Sequence, residues 1–154
     1  VLCEGKGRVS VGEGTVFGFM EDAGFWTSYE FLNPRNVDSK ISIGKNCQIC
    51  NRFTAISEGE GIEIGDNVLV GSSVTVLDSD FHEIDPEKRV GGNPKTGKVV
   101  IGDNVWIGDR VMILKGTAIG KNSVVAAGSV VSGEFPANVV IGGVPARVIR
   151  EIGG

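Results

Sequence analysis

The chain lacks the features of a protein that binds nucleic acid or spans a membrane. Lys and Arg total 15 against 19 Asp and Glu, for a net charge of -4, so no basic surface is available for a phosphate backbone. No apolar run approaches the roughly 18 residues of a membrane span, and residues 1–10 lack the apolar segment of a signal peptide. We therefore expect a cytoplasmic protein with no nucleic-acid partner and no membrane span.

Cysteine and histidine are also scarce. Three cysteines, an odd number, do not make a disulfide framework. Cys47 and Cys50 have a C-x-x-C spacing, but the sequence has no second pair and no nearby histidine to complete a metal site. We expect no metal cofactor, and we interpret both cysteines as packing residues of a repeat.

Glycine, in contrast, is abundant, and aliphatic residues recur every six positions. One position of the six-residue repeat, here called the aliphatic slot, is occupied in residues 101–131 by Ile101, Ile107, Ile113, Ile119, Val125 and Val131. Small or β-branched residues follow four positions later, from Val105 to Ser129. The frame also runs through Ile43 and Ile49, slips by three in residues 57–63, and resumes at Ile64. Such a period predicts an all-β solenoid of stacked three-sided coils, each about 18 residues long.

The repeat breaks after Val76. His82 occupies the next aliphatic slot, Lys88 and Pro94 occupy the following two, and the pattern returns at Ile101. We therefore predict that residues 82–99 leave the solenoid as a loop and rejoin it one coil later. Loops on a rigid scaffold often carry the chemistry, and histidine is the side chain that titrates near neutrality.

The stretch from Ile101-Gly-Asp-Asn-Val-Trp106-Ile-Gly through Gly143-Val-Pro-Ala-Arg-Val-Ile-Arg150 resembles the C-terminal half of hexapeptide-repeat acetyltransferases. The likeness is to maltose and galactoside O-acetyltransferases and to enzymes that acetylate bacterial polysaccharides. It implies a left-handed parallel β-helix in a single domain, residues 1–154. The expected parts are an aromatic-rich N-terminal coil or cap (1–40), the main repeat (41–136) and a CoA-proximal tail (137–154).

The resemblance also implies that His82 is a general base, which takes the proton of an acceptor hydroxyl as it attacks the thioester of acetyl-CoA. The other imidazole nitrogen must be held by a carboxylate or a carbonyl. Asp80 and Asp78 are the local candidates for this role, and the alternative is that both are turn-forming acids.

Further site residues follow from the same resemblance. Trp106 is expected beside the acetyl and pantetheine end of acetyl-CoA, in a cleft between the subunits of a homotrimer. The remaining expected contacts are Ala127, Gly128, Arg147 and Arg150 with CoA, and Asn51 with the acceptor. The aromatic residues between Phe17 and Phe31 either cap the solenoid or form an acceptor platform.

Other functions known for this fold require more histidines than the chain has. Carbonic anhydrases of this fold need three histidines and serine acetyltransferases need two, whereas this chain has one. An antibiotic acetyltransferase of streptogramin or chloramphenicol type and a non-catalytic solenoid module stay open as alternatives. We expect a CoA-dependent O-acetyltransferase that acts on a carbohydrate hydroxyl of a surface polysaccharide or its precursor.

Overall fold

The chain folds into a column of stacked coils, and each coil adds one strand to each of three sheets. The computed structural model describes residues 1–22 and 24–153, whose strands are numbered β1 to β19 in chain order. Neighbouring strands within the sheets are parallel, and the C-terminal hairpin is antiparallel. Within these residues, no helix is long and apolar enough to cross a lipid bilayer.

The three sheets form the three faces of the column. Sheet 1 contains β1 (Leu2–Cys3), β4 (Phe31–Pro34), β7 (Thr54–Ser57), β10 (Thr75–Leu77), β13 (Met112–Ile113) and β16 (Val130–Val131). Sheet 2 contains β2 (Arg8–Val11), β5 (Lys40–Ile43), β8 (Ile62–Ile64), β11 (Val99–Ile101), β14 (Ala118–Ile119) and β17 (Glu134–Phe135). Sheet 3 contains β3 (Val16–Phe17), β6 (Gln48–Ile49), β9 (Leu69–Val70), β12 (Trp106–Ile107), β15 (Val124–Val125), β18 (Val139–Gly143) and β19 (Ala146–Glu151).

The core is the stack of inward side chains along the column axis. On sheet 3 the register places Ile49, Val70, Ile107 and Val125 next to one another in successive coils, and all four are buried. Each fully buried aliphatic side chain contributes about 1.5–3 kcal/mol. The slots four residues later are also buried, from Val105 to Ser129, so the six-residue period is confirmed as the pattern of the core.

One column of turns, between sheets 2 and 3, depends on asparagine and aspartate. Asn67 and Asn104 have φ of 58° and 54°, in the left-handed region that asparagine tolerates better than most residues. Asp66 Oδ1 accepts a hydrogen bond from the Lys45 N–H at 2.7 Å, and Asp103 Oδ1 accepts one from the Asp66 N–H at 2.8 Å. The predicted Asp-Asn turns therefore also bind the coils to one another.

The first coil contains β1, β2 and β3, and the aromatic segment lies between it and β4 of the next coil. Strands β1, β2 and β3 pair with β4, β5 and β6, so the weaker repeat copy near Val11 forms part of the helix. The connection from β3 to β4 holds the aromatic residues, among which Trp26 is 82% exposed and Tyr29 is also exposed. Whether this segment acts as a cap or as a platform stays a prediction.

The second interruption is the predicted loop. It leaves the column after β10 and returns at β11, so the excursion covers residues 78–98. Its start lies four residues before the predicted one because β10 ends at Leu77 and the chain turns outward after the buried Asp78 and Ser79, whereas the period reveals the break only at the next aliphatic position, residue 82. The fold class is confirmed, and the limits of the loop are corrected.

Candidate active site

His82 lies on the excursion with its imidazole held by a backbone carbonyl. The ring Nδ1 is 3.0 Å from the carbonyl oxygen of Arg89, and the residue is exposed. A carbonyl oxygen only accepts hydrogen bonds, so this contact requires a proton on Nδ1. In the neutral ring Nε2 then has a free lone pair. This is the tautomer in which Nε2 can act as the base.

Asp80 lies near His82 but has other partners. Its carboxylate Oδ2 is 3.4 Å from Lys115 Nζ, and its N–H donates to the Lys95 carbonyl at 3.0 Å. Asp80 and His82 both line a small pocket of about 120 Å³, together with Glu83, Ile84 and Lys95. The described partner of the imidazole is a carbonyl and not Asp80, whose catalytic role stays a prediction.

Asp78, the other predicted acid, is fully buried at the root of the excursion. Its Oδ2 accepts hydrogen bonds from Ser57 Oγ at 2.7 Å and from the N–H groups of Gly59 and Gly61, and its Oδ1 accepts one from the Glu58 N–H at 2.7 Å. All the described hydrogen bonds of the carboxylate therefore go to the turn between β7 and β8. The described contacts of Asp78 give it a structural function.

The neck of the excursion is closed by backbone pairing. The Gly97 N–H donates to the Asp78 carbonyl at 2.9 Å, and Ser79 forms an antiparallel bridge with Thr96. The segment that carries His82 is thus held at both ends.

Trp106 lies on the outer face of sheet 3, in a row that is apolar except for the exposed Gln48 between Val16 and Leu69. It pairs in register with Leu69 on one side and Val124 on the other, and it is 56% exposed. Val16 and Leu69 in the same row are exposed as well. An exposed indole in an apolar row is typical of a binding surface.

His82 and Trp106 lie on different sides of one chain. The excursion leaves the column at the corner where sheet 1 leads into sheet 2. Trp106 is on sheet 3, the face opposite this corner in a three-sided column.

The predicted CoA contacts lie toward the C-terminal end of the column. Ala127 and Gly128 form an exposed turn after β15, where Gly128 has a φ of 73° and a Cβ added to it would meet open space. Arg147 and Arg150 are exposed on β19, and their described hydrogen bonds go to the nearby Ala146 and Glu151 carbonyls. Arg150 pairs with Val140, which continues the Trp106 row.

Asn51 is buried, with only 2% of its surface exposed. Its side-chain Oδ1 accepts from the Phe19 N–H at 3.0 Å, and its Nδ2 donates to the Phe19 carbonyl at 3.2 Å. The amide therefore binds the aromatic segment to the second coil. A contact with an acceptor would require these bonds to be exchanged, and that role stays a prediction.

The two C-x-x-C cysteines lie where the repeat predicts them. Cys47 is buried in the core and Cys50 is half-buried, and both are free thiols. Burial, with smaller contributions from the Asp22 and Asp109 carboxylates, raises the pKa of the Cys50 thiol above its ordinary value. In residues 1–22 and 24–153, no group of three or more His, Cys, Asp or Glu side chains could hold a metal ion.

Comparisons with known proteins agree with this fold. The family model described as "Bacterial transferase hexapeptide (six repeats)" matches residues 98–133, and "Hexapeptide repeat of succinyl-transferase" matches residues 40–77. Galactoside O-acetyltransferase of Escherichia coli (strain K12) is 45% identical over 114 residues, which are 74% of this chain and 55% of that protein. WbbJ of the same strain, whose name proposes an O-acetyl transferase of lipopolysaccharide biosynthesis, is 38% identical over 72% of this chain and 60% of its own length.

A solved structure extends the likeness to most of the chain. The hexapeptide-repeat containing acetyltransferase VCA0836 from Vibrio cholerae has 30% sequence identity and a TM-score of 0.74, over 93% of this chain and 73% of that one. The same protein complexed with acetyl coenzyme A has a TM-score of 0.64 at 29% identity, over 94% of this chain and 72% of that one. The chain belongs to the hexapeptide-repeat acetyltransferase family, and its fold is the family's left-handed parallel β-helix. It spans between 55% and 60% of the length of the two curated relatives named above.

Proposed function

We propose that this protein transfers the acetyl group of acetyl-CoA directly to a carbohydrate hydroxyl, with His82 as the general base. The observation that carries the proposal is the hydrogen bond between His82 Nδ1 and the Arg89 carbonyl. In the neutral ring this bond leaves the Nε2 lone pair free on the chain's single histidine, as base catalysis through Nε2 requires.

The reaction needs one proton carrier. The acceptor oxygen forms a bond to the thioester carbonyl carbon while Nε2 takes its proton. The carbon–sulfur bond then breaks, and the proton passes from the imidazolium to the sulfur of CoA. No covalent acyl-enzyme is needed, so the cysteines have no part in this mechanism.

The donor is proposed to lie along sheet 3. Trp106, Val124, Val140 and Arg150 occupy successive strands, and three strand spacings of about 4.8 Å put Arg150 roughly 14 Å from Trp106. A long molecule such as CoA would extend from the indole toward the arginines, whose planar donors suit phosphate. The acetyl coenzyme A complex of VCA0836 supports this class of donor.

A homotrimer would complete the site. Because His82 and Trp106 lie on opposite sides of a chain, two chains are needed to form a cleft that contains both. The exposed neighbours Leu69 and Trp106 on the outer face of sheet 3 support an interface between copies. Light scattering should give three times the chain mass. A monomer that binds acetyl-CoA tightly would contradict the shared cleft.

The acceptor is proposed to be a glycan chain or its precursor, used in the cytoplasm where acetyl-CoA is made. The names of two relatives, one a galactoside enzyme and the other assigned to lipopolysaccharide biosynthesis, support a sugar hydroxyl. The exposed aromatic side chains of residues 19–29 offer faces on which sugar rings can stack.

The decisive experiment measures CoA release with a panel of acceptors. The panel should contain free sugars, nucleotide sugars, oligosaccharides, streptogramin and chloramphenicol antibiotics, and amines. Turnover with glycans is expected. Rapid turnover with an antibiotic or an amine, and none with any glycan, would show that the acceptor class is wrong, and no turnover with any acceptor would favour a binding module.

A further inference from the structure

We infer that Glu58, together with Arg35 and Ser79, sets the orientation of the His82 imidazole through the intervening residue Phe81. These three are positioning residues, because they act on His82 through Phe81. The catalytic importance of this network rests on the proposed role of His82, whereas its effect on the ring orientation can be tested separately.

Phe81 has an unusual backbone conformation next to His82. Its φ is 60°, in the left-handed region that bulky L-residues rarely occupy. Such a conformation persists only where neighbouring groups hold it. Since Phe81 directly precedes His82, its backbone angles decide the direction in which the His82 side chain leaves the chain.

A directed chain of hydrogen bonds holds the Phe81 backbone. The Phe81 N–H donates to Ser79 Oγ at 2.9 Å, and the Ser79 hydroxyl donates to Glu58 Oε2 at 2.7 Å. The single hydroxyl proton is donated to Glu58, and a lone pair of the same oxygen accepts from the Phe81 N–H. Ser79 is buried, and water therefore competes little for these bonds.

The ring of Phe81 is held by the same carboxylate through Arg35. Arg35 Nη1 is 3.3 Å from Glu58 Oε1, and Arg35 Cζ lies 4.7 Å from the centre of the Phe81 ring. A guanidinium over an aromatic face is attracted by the ring quadrupole. Glu58 thus holds the backbone of Phe81 through Ser79 and its ring through Arg35.

The network is attached to the rigid column. The Glu58 N–H donates to Asp78 Oδ1 at 2.7 Å, its carbonyl accepts from Asn36 Nδ2 at 2.6 Å, and the Arg35 N–H donates to the Ser57 carbonyl at 2.8 Å. These contacts join the turns after β4 and β7 to the exit of β10. The position of the imidazole is therefore tied to three successive coils.

The single histidine permits a direct test by NMR. In protein labelled with ¹⁵N-histidine, all imidazole signals come from His82, and at about pH 8.5 they report the tautomer of the neutral ring. The wild-type protein should show mainly the Nδ1–H form. Glu58→Ala should move both nitrogen shifts toward those of free imidazole. Glu58→Gln should have a smaller effect, because its amide oxygen still accepts from Ser79.

A matched control is Glu63→Ala. Glu63 is an exposed glutamate on β8 whose Oε1 is 2.7 Å from Lys98 Nζ, so the change also removes an ion pair but does not touch Phe81. It should leave the imidazole signals unchanged. If Glu58→Ala does not fold, Arg35→Ala replaces it and should likewise move the imidazole shifts toward those of free imidazole, whereas Glu58→Gln should move them less.

Kinetics measure the consequence. Glu58→Ala should lower kcat by about 10- to 100-fold, as expected for a misplaced catalytic group, and leave the KM for acetyl-CoA unchanged. Glycine adopts positive φ freely, so in a Phe81→Gly background the same change should lower kcat much less. If Glu58 only stabilised the overall fold, Glu58→Ala would lower kcat by the same factor with and without Phe81→Gly.

The outcomes separate the two hypotheses. Unchanged imidazole signals in Glu58→Ala, or equal changes in Glu63→Ala, would refute the network whatever His82 does. If the signals move as expected but His82→Asn keeps full turnover, the network stands and the general-base proposal is wrong.

Discussion

Removing the Asp78 carboxylate should destabilise the protein strongly, because this group replaces strand pairing at the root of the excursion. Its Oδ2 accepts from Ser57 Oγ and the N–H groups of Gly59 and Gly61, and its Oδ1 accepts from the Glu58 N–H. Asp78→Ala would leave these four donors without their acceptor.

The expected cost follows from how deeply each bond is buried. The bonds from Ser57 and Gly61 are fully buried, and each donor left unsatisfied costs about 1–3 kcal/mol. The bond from Glu58 is partly buried, and the one from Gly59 is longer, at 3.3 Å, so both contribute less. We expect a loss of about 3–5 kcal/mol in the free energy of unfolding.

The isosteric Asp78→Asn tests the same reasoning more finely. Its amide oxygen can take the place of Oδ2 and keep three bonds, but its NH2 group then faces the Glu58 N–H. This single donor–donor conflict should cost about 1–3 kcal/mol, less than the alanine variant.

Urea unfolding followed by circular dichroism would measure these differences at a fixed chain concentration, since assembly contributes to stability. Asp103→Ala is the control, because Asp103 is exposed and its carboxylate accepts a single described bond, from the Asp66 N–H at 2.8 Å. It should cost less than about 1 kcal/mol. The reasoning is refuted if Asp78→Ala costs no more than Asp103→Ala.

Three further predictions concern the site and the thiols. His82→Asn should lower turnover by about 10²–10⁴-fold with acetyl-CoA affinity unchanged in calorimetry; an equal loss of affinity would contradict a pure proton-transfer role. Trp106→Ala and Arg150→Ala should raise the KM for acetyl-CoA more than the KM for the acceptor in steady-state assays. A larger rise in the KM for the acceptor would show that these residues bind the acceptor and not acetyl-CoA. Because the pKa of Cys50 is raised, its thiol should stay protonated as pH rises through the ordinary cysteine range and react with iodoacetamide more slowly than exposed Cys3. Peptide mass spectrometry measures the alkylation rate of each cysteine, and faster alkylation of Cys50 than of Cys3 would contradict the prediction.

The column could be predicted from the sequence because one physical rule repeats along it. Ile101, Ile107 and Val125 each occupy the inward slot of a short strand, and all are buried. The same rule predicted the break near His82, because His82, Lys88 and Pro94 stand where the repeat requires a buried aliphatic side chain. It also explained Cys47 by its size, and the side chain is buried in the core.

The details of the site could not be predicted, because they depend on contacts that have no sequence pattern. The partner of His82 is the carbonyl of Arg89, and every residue has a carbonyl. Asp78 and Asp80 are two residues apart, yet one is buried and the other exposed, because the chain turns outward between them. The roles of Glu58 and Arg35 depend on the stacking of different coils, which the six-residue period does not report.

The two interruptions of the β-helix share a structural solution that explains why the polar side chains of Asn51 and Asp78 are buried. Where the chain leaves a coil, its backbone groups lose their partners in the parallel ladder, and buried groups without partners are costly. At the aromatic segment, the Asn51 side chain bonds to both the N–H and the carbonyl of Phe19. At the excursion, the Asp78 carboxylate accepts from N–H groups of the preceding coil. Each side chain thus supplies the hydrogen bonds that the ladder loses, so a buried asparagine or aspartate in such a repeat is first a sign that the chain departs from the column nearby.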